Sequence, residues 1–279
     1  MRSNNYTSLK DNRVIKKHYE NFSIAKFLPK ESKNAITTIY AFARIGDDIA
    51  DAVNLSVKEK QVQLQKMKYQ LDMIKNHRMP NEPLFIDLFQ LIKTYKLNIQ
   101  HFYQLLNAFF QDTTKKKYKN EKELFNYYND AAHAAGKLYL QVNQLDSKET
   151  YKYANHVCSA FAMIDMIQDI PEDLNKDRVY LPESLIKQYQ IDVLALHKGQ
   201  FHGNWENFKN YWTDQINNHL VLGKGILKYG NWRFKFEMKL LILAGLMLSQ
   251  KIKNKNNPFH IKMNSISWFI VLTKAIFLR

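Results

Sequence analysis

The sequence predicts an all-α protein folded as one domain over residues 1–279. Glycine and proline are scarce, with 8 and 6 in 279 residues, whereas sheet proteins need turn residues every few positions. Apolar residues recur at helical spacing through most segments. They make up 46% of the chain, and the aromatic share is high, with 17 Phe and 16 Tyr. This composition predicts a sizeable core around a central apolar cavity.

The apolar periodicity and the breaks between its segments place the helices in chain order. Breaks are expected near Pro29, before Pro83, around Pro182 and before Pro258, because proline has no amide hydrogen for a helix interior. The polar stretch 115–120 predicts a further break. The predicted helices span residues 7–20, 32–53, 57–77, 83–95, 99–112, 121–143, 147–172, 205–228, 234–254 and 264–277.

The helix predicted over 32–53 carries a polar stripe at positions i, i+4, i+7, i+8 and i+11. This spacing confines the stripe to about a third of the helix circumference. A solvated helix face would favour Glu and Lys, whereas this stripe is rich in Asp, a poor helix former. We therefore interpret it as a functional face, with a solvated surface as the alternative. Its members are Tyr40, Arg44, Asp47, Asp48 and Asp51.

A second acidic cluster far downstream repeats this spacing. Asp165, Asp169 and Asp173 share one face of a predicted helix, and Glu172 lies beside them. Pro171 would kink this helix or mark its last turns. Arg178 follows, and its planar guanidinium suits phosphate oxygens. The alternative interpretation is an ordinary acidic helix end followed by a basic loop.

Each cluster contains two aspartates four residues apart, so that both carboxylates lie on one helix face, one turn apart. Like charges so placed repel each other unless a divalent cation lies between them. Mg²⁺ takes oxygen ligands and is often held by a few carboxylates together with substrate phosphates. We therefore expect the two clusters to form one magnesium site for a diphosphate. The candidate ligands are Asp47, Asp48, Asp51, Asp169, Glu172 and Asp173.

The formal net charge of +15 does not indicate a nucleic-acid partner, because the lysines are spread along the chain and no nucleic-acid-binding motif accompanies them. Cys158 is the only cysteine, which fits a reducing cytosol. The N-terminus has no apolar signal core, and no apolar run approaches the ~18 residues of a membrane span. We expect a cytoplasmic protein with peripheral contact on the inner face of the membrane.

The C-terminal stretch 262–279 combines basic and apolar residues, with Trp268, Phe269 and Phe277 as aromatic anchors. One interpretation is a helix that lies in the membrane interface, attracted by anionic lipid. The other is a final helix packed on the core. The sequence leaves both interpretations open.

Three segments resemble the squalene/phytoene synthase family. They are His18–Phe22, Tyr40–Asp51 and Asp169–Pro182. Within the family the sequence is most similar to the hydroxysqualene or squalene synthases of the bacterial hopanoid pathway, and Asn107–Asp112 and Ala135–Leu138 support that placement.

The resemblance implies the all-α class I isoprenoid (terpenoid) synthase fold and head-to-head condensation of prenyl diphosphates with Mg²⁺. The implied reaction converts presqualene diphosphate, formed from farnesyl diphosphate, to hydroxysqualene or squalene, as a prenyl transferase or diphosphate lyase. NADPH is the less expected cofactor. The chain has no Gly-rich dinucleotide fingerprint, although family members that use NADPH lack one too.

The resemblance also implies roles for individual residues. Contact with the diphosphate, or support of its site, is implied for Tyr40, Arg44 and Arg178. The implied substrate-binding residues are His18, Asn21, Phe22, Asp112, Lys137 and Tyr180.

Five positions depart from the residues usual in the family, and they put the choice of substrate in question. Asp165 replaces an Asn and Ala162 a Gln. Phe110 replaces an Arg, and His260-Ile261 an Arg-Pro.

Two alternatives stay open. One is a phytoene synthase that joins two geranylgeranyl chains. The other is a non-catalytic, membrane-associated family member, against which the retained aspartates argue. Contact with other enzymes of the isoprenoid pathway is a further expectation.

Overall fold

The computed structural model describes residues 30–277, and this part of the chain is helical. It contains no strand, and Lys117 and Val179 form one isolated bridge. The α-helices are α1 (Lys30–Asp51), α2 (Val57–Lys75), α3 (Pro83–Tyr95), α4 (Gln100–Thr114), α5 (Glu121–Asp130), α6 (Ala132–Val142), α7 (Lys148–Gln168), α8 (Ile170–Asn175), α9 (Glu183–Gln188), α10 (Val193–His197), α11 (Trp205–Gly223), α12 (Trp232–Asn254) and α13 (Ser265–Phe277), with a 3₁₀ helix at Lys224–Lys228.

The all-α prediction is confirmed. The helix predicted over 7–20 and the candidate residues His18, Asn21 and Phe22 lie outside the described residues. No helix between residues 30 and 277 is both long enough and apolar enough to cross a lipid bilayer.

Three features differ from the predicted helices. The helix predicted over 121–143 is interrupted at Ala131, whose φ of −91° and ψ of −93° leave the helical region. The helix predicted to reach residue 172 ends at Gln168, and a separate short helix begins at Ile170, with Pro171 in its first turn. The short helices α9 and α10 lie in a segment for which the sequence predicted no helix.

The described residues pack as two compact units. Unit 1 comprises residues 30–114 and 134–146, and unit 2 comprises residues 115–133 and 147–277. The expectations of a single domain and of a central cavity stay predictions.

The core of unit 1 forms around Phe42 of α1. Its ring meets Phe85 of α3 and Phe102 of α4 edge-to-face, with centroids 5.9 Å and 5.3 Å apart. One turn further along α1, Gly46 lies so close to α4 that an added Cβ would be 2.2 Å from the Phe109 ring. Glycine therefore permits the close approach of the two helices. This packing fixes the polar stripe of α1 relative to α4.

Unit 2 is organised around the contact between α7 and α11. The Trp212 indole of α11 donates a hydrogen bond from Nε1 to the Met163 carbonyl of α7 at 2.9 Å. Trp205, Phe208 and Trp212 form a run of tilted rings, with successive centroids 5.4 Å and 5.6 Å apart. All three side chains are buried. These contacts hold α7, whose C-terminal end carries the second acidic cluster.

Two histidines form a direct hydrogen bond between α7 and α11. The Nδ1 atoms of His156 and His219 are 3.0 Å apart, so one of them carries the proton that the other accepts. The His219 ring also stacks on Phe125 of α5, with centroids 5.4 Å apart. Burial, together with the neighbouring His156, lowers the pKa of His219 to about 4.

This pair predicts that the contribution of His219 to stability falls in mild acid. A histidine whose pKa is lowered by folding stays neutral in the native state, while the unfolded chain takes up a proton below about pH 6.5. The contribution of His219 to the free energy of unfolding should therefore fall by on the order of 2 kcal/mol between about pH 6.5 and about pH 5. The raised pKa values of Asp47 and Asp165 act in the opposite direction over this range. Urea denaturation should therefore show the wild type losing about that much stability relative to His219→Asn as the pH falls.

His77→Asn is the matched control, because His77 is exposed in a left-handed turn that Asn tolerates (φ 55°). It should keep the wild-type pH dependence. An equal pH dependence in His219→Asn and the wild type would contradict the linkage.

Candidate active site

The polar stripe of α1 contains its own counter-charge. Arg44 donates from Nη1 to Asp47 Oδ2 at 3.3 Å and from Nη2 to Asp48 Oδ1 at 2.8 Å. These are i,i+3 and i,i+4 contacts on one helix face, as the sequence spacing predicts. Arg44 thereby offsets part of the negative charge of the cluster. Its contact with a diphosphate stays a prediction.

The carboxyl of Asp47 in this stripe is strongly perturbed. Burial raises its pKa to about 6, the charge of Asp51 adds to the rise, and Arg44 opposes it. The charges of Asp48 and Asp112 raise it further. The side chain still keeps 48% of its surface accessible. Asp47 is thus reachable by a small ion yet poorly solvated, and a bound cation would favour its ionised form.

Three other candidate residues lie in unit 1. Tyr40 is half-buried on α1, and Asp112 is buried on α4. Lys137 is half-buried on α6. Its charge helps to lower the pKa of His101 on α4, for which burial is the larger cause. The charge of Asp112 on α4 raises the pKa of Asp47 on the acidic stripe. A contact of Asp112 with substrate stays a prediction.

The second acidic cluster spans the end of α7 and the start of α8. The Asp169 amide donates to the Asp165 carbonyl at 2.8 Å, and the Asp173 amide donates to the Asp169 carbonyl at 2.8 Å. These i,i+4 bonds bridge the interruption near Pro171. The one-turn spacing of Asp169 and Asp173 therefore survives, although α7 itself ends at Gln168.

The carboxyls of this cluster are also perturbed. Burial raises the pKa of Asp165 to about 7, and the charge of Asp169 adds to the rise. Burial and the charge of Glu172 raise the pKa of Asp169, while His260 and Lys176 oppose that shift. Both aspartates retain exposed surface, so the surrounding protein desolvates carboxyls that an ion can still reach. A partly protonated Asp165 is closer to the neutral Asn usual in the family than its formal charge suggests.

The loop after α8 positions Arg178 and Tyr180. The Arg178 amide donates to the Asp173 carbonyl at 2.8 Å after a left-handed turn at Asp177 (φ 57°). The Val179 amide donates to the Lys116 carbonyl at 2.8 Å. Arg178 is buried. Asp173, Arg178 and Tyr180 line one small pocket in unit 2, so three predicted site residues are neighbours there.

Aromatic stacking holds the Tyr180 ring beside this pocket. Its centroid lies 5.7 Å from that of Tyr118, with 23° between the ring planes. Tyr127 contacts the same ring at 5.6 Å. The position of Tyr180 is therefore set by neighbours outside its own loop.

The structure adds His260 to the surroundings of the second cluster. Its Nδ1 is 3.2 Å from Glu172 Oε1, and its amide donates to the Gln168 carbonyl at 3.3 Å. The sequence showed His260 only as a departure from the family pattern and gave it no role. Its position depends on the chain returning to the end of α7, which spacing along the sequence does not reveal.

The two clusters offer hard oxygen donors of the kind that Mg²⁺ prefers. Within residues 30–277, no group of three or more His, Cys, Asp or Glu side chains is arranged to enclose a metal ion. Mg²⁺ needs fewer protein ligands when substrate phosphates and water complete its shell. Accessible carboxylates that repel one another, such as Asp47 with Asp51, fit that requirement. The ligand assignments stay predictions.

The profile of the squalene/phytoene synthase family matches residues 15–267, a range that contains both acidic clusters. The chain belongs to the squalene/phytoene synthase family. The family assignment made from the sequence motifs is thus confirmed.

Two curated relatives of this squalene/phytoene synthase family member carry different names. A hydroxysqualene synthase of Zymomonas mobilis subsp. mobilis is 30% identical over 189 residues, which are 66% of this chain and 61% of the relative. A phytoene synthase of Mycobacterium bovis is 27% identical over 157 residues, which are 56% of this chain and 51% of the relative. The matches therefore cover less than two thirds of either relative's length.

A solved structure of a squalene synthase has the same fold. The squalene synthase HpnC from Alicyclobacillus acidocaldarius superposes with a TM-score of 0.80 at 23% identity, covering 88% of this chain and 92% of that one. The helical isoprenoid synthase fold expected from the family resemblance is confirmed.

Proposed function

We propose that this protein is a Mg²⁺-dependent head-to-head isoprenoid synthase that converts presqualene diphosphate, formed from farnesyl diphosphate, to hydroxysqualene or squalene. The observation that carries the proposal is the pair of acidic clusters. Each holds accessible carboxyls with raised pKa values, among them Asp47 and Asp169. Family membership and a curated hydroxysqualene synthase relative support it.

The proposed chemistry begins with loss of the diphosphate. The carbon–oxygen bond of the substrate breaks, and the electron pair leaves with the diphosphate. Mg²⁺ would neutralise charge on this leaving group. Asp47, Asp51, Asp169 and Asp173 would hold several Mg²⁺ ions between them, with Asp48 and Glu172 as further ligands. Arg44 and Arg178 would bind phosphate oxygens, for which a guanidinium is well suited.

The carbocation left by this ionisation must then be captured by a nucleophile or a hydride. Attack by water with loss of a proton gives hydroxysqualene, whereas hydride transfer from NADPH gives squalene. Aromatic rings stabilise a nearby cation through their π faces. Tyr180 stacks on Tyr118 and lines the same small pocket as Arg178, and we propose that its ring stabilises the cation. Tyr40 would support the diphosphate end from α1.

A phytoene synthase remains the second candidate, because one curated relative carries that name. Product analysis separates the candidates. The full chain would be incubated with Mg²⁺ and presqualene, farnesyl or geranylgeranyl diphosphate, each with and without NADPH, and the products identified by mass spectrometry. Hydroxysqualene from presqualene diphosphate without NADPH is the expected result, and chelation of Mg²⁺ should abolish it.

The other outcomes of this product analysis would support different functions. Squalene formed only with NADPH would assign the reductive branch of the proposal. Phytoene from geranylgeranyl diphosphate, with no product from the other substrates, would establish the second candidate instead. No product from any substrate, with Mg²⁺-dependent binding retained, would indicate a non-catalytic family member.

A further inference from the structure

The C-terminal part of the chain carries only one sign of charge. From Met238 to Arg279 there is no Asp or Glu. The basic residues of this segment are Lys239, Lys251, Lys253, Lys255, Lys262, Lys274 and Arg279. A segment of this composition attracts anionic surfaces and repels other basic ones.

One face of α13 packs firmly on α12. Val271 and Ala275 are buried with Leu240 of α12, and Trp268 packs against the same cluster. Two lysines of α12 add hydrogen bonds across the contact. Lys239 Nζ donates to the Ala275 carbonyl at 2.8 Å, and Lys251 Nζ donates to Ser267 Oγ at 2.6 Å. This face therefore matches the interpretation of α13 as a packed final helix.

The opposite face of α13 is apolar and exposed. Ile266, Phe269 and Ile276 have 69%, 67% and 63% of their surface accessible, and Ile270 is also exposed. Ile266, Phe269 and Ile270 lie at i, i+3 and i+4, so they form one stripe. A helix that is apolar on both faces is normally buried on both. An exposed apolar patch of this kind marks an interaction site.

We propose that this exposed face of α13 (Ile266, Phe269, Ile270 and Ile276) docks on an anionic lipid bilayer. Lys262 lies just before the helix and Lys274 in its last turn, and both are exposed, so positive charge lies near each end of the apolar stripe. Large apolar side chains flanked by lysines suit the headgroup boundary of an anionic membrane.

The positive charge near this face of α13 also argues against two other binding partners for it. The segment 1–29 contains six basic and two acidic residues, so it would bring further positive charge to this face. A second copy of the chain would place two all-basic C-terminal segments against each other. An anionic bilayer supplies what these two occupants do not, an apolar interior together with complementary negative charge.

The docking face is independent of catalysis, so it can be tested without substrate. The full-chain protein would be sedimented with vesicles of phosphatidylcholine alone or of phosphatidylcholine mixed with phosphatidylglycerol, at low and high salt. We expect binding to the anionic vesicles that weakens with salt, because the lysine contribution is screened. Phe269→Glu should weaken binding roughly tenfold or more, because it removes an inserted ring.

Charge reversal gives a second, independent variant. Lys262→Glu combined with Lys274→Glu should weaken binding about tenfold or more. The matched control is Lys58→Glu combined with Lys66→Glu, two exposed lysines of α2, and Leu194→Glu on α10 controls for Phe269→Glu. Both controls should bind like the wild type, and thermal unfolding should confirm that all variants fold.

Three results would overturn the proposal. They are equal binding to neutral and anionic vesicles, unchanged binding in both α13 variants, or a wild-type dimer that Phe269→Glu dissociates, which would assign this face to a second copy. Because every arm measures binding alone, failure here leaves the proposed catalytic function standing.

Discussion

Replacing either Asp47 or Asp169 by Asn is expected to lower kcat/KM on the order of 10³-fold, or about 4 kcal/mol of transition-state stabilisation. Asn keeps the size of the side chain but removes the negative oxygen that a hard cation prefers. Steady-state rates of diphosphate release with Mg²⁺ would measure the effect. Both variants should remain folded, because each loses a carboxyl whose pKa is already raised by its surroundings.

Asp177→Asn is the matched control for this experiment. Asp177 follows the second cluster, is exposed, and has a left-handed backbone that Asn accepts. It should react at the wild-type rate. Wild-type turnover in Asp47→Asn or in Asp169→Asn would show that the corresponding cluster takes no part in the reaction.

Truncating Phe42 to Ala is expected to destabilise the protein by about 3–5 kcal/mol, because a buried ring and its contacts are lost. Phe42 is fully buried between the edges of Phe85 and Phe102. It lies on α1 beside the acidic stripe, so activity should fall together with stability. Urea denaturation followed by circular dichroism would measure the change.

Tyr69→Ala on α2 controls for the loss of an aromatic ring as such. Tyr69 is exposed, so its truncation should change the free energy of unfolding by no more than about 0.5 kcal/mol. If Phe42→Ala lowered the free energy of unfolding by as little as the control does, the aromatic contacts would contribute little to the stability of unit 1.

The acidic stripe of α1 was predictable because it depends on local geometry alone. Helical periodicity places Arg44 next to Asp47 and Asp48, and the structure shows both ion pairs. The spacing of Asp169 and Asp173 was also predictable, although the helix boundary was not. Proline altered the continuity of the helix there without changing the turn that relates the two carboxyls.

Other features depend on contacts between segments distant in sequence. The interruption at Ala131 carries no Gly or Pro signal, so the periodic pattern of 121–143 conceals it. The short helices α9 and α10 are too brief to give a clear period. His260 reaches Glu172 only because the chain after α12 returns to the end of α7. The stacking of Tyr180 on Tyr118 is likewise a tertiary contact.

The central claim is that both acidic clusters act, with Mg²⁺, on the same diphosphate. Calorimetric titration of inorganic pyrophosphate into the wild type, Asp47→Asn, Asp169→Asn and the double variant tests it most directly. The account predicts binding only with Mg²⁺, a loss of about tenfold or more in each single variant, and a double variant weaker by less than the product of the single effects. Pyrophosphate binding without Mg²⁺, or binding that one of the two substitutions leaves unchanged, would contradict it.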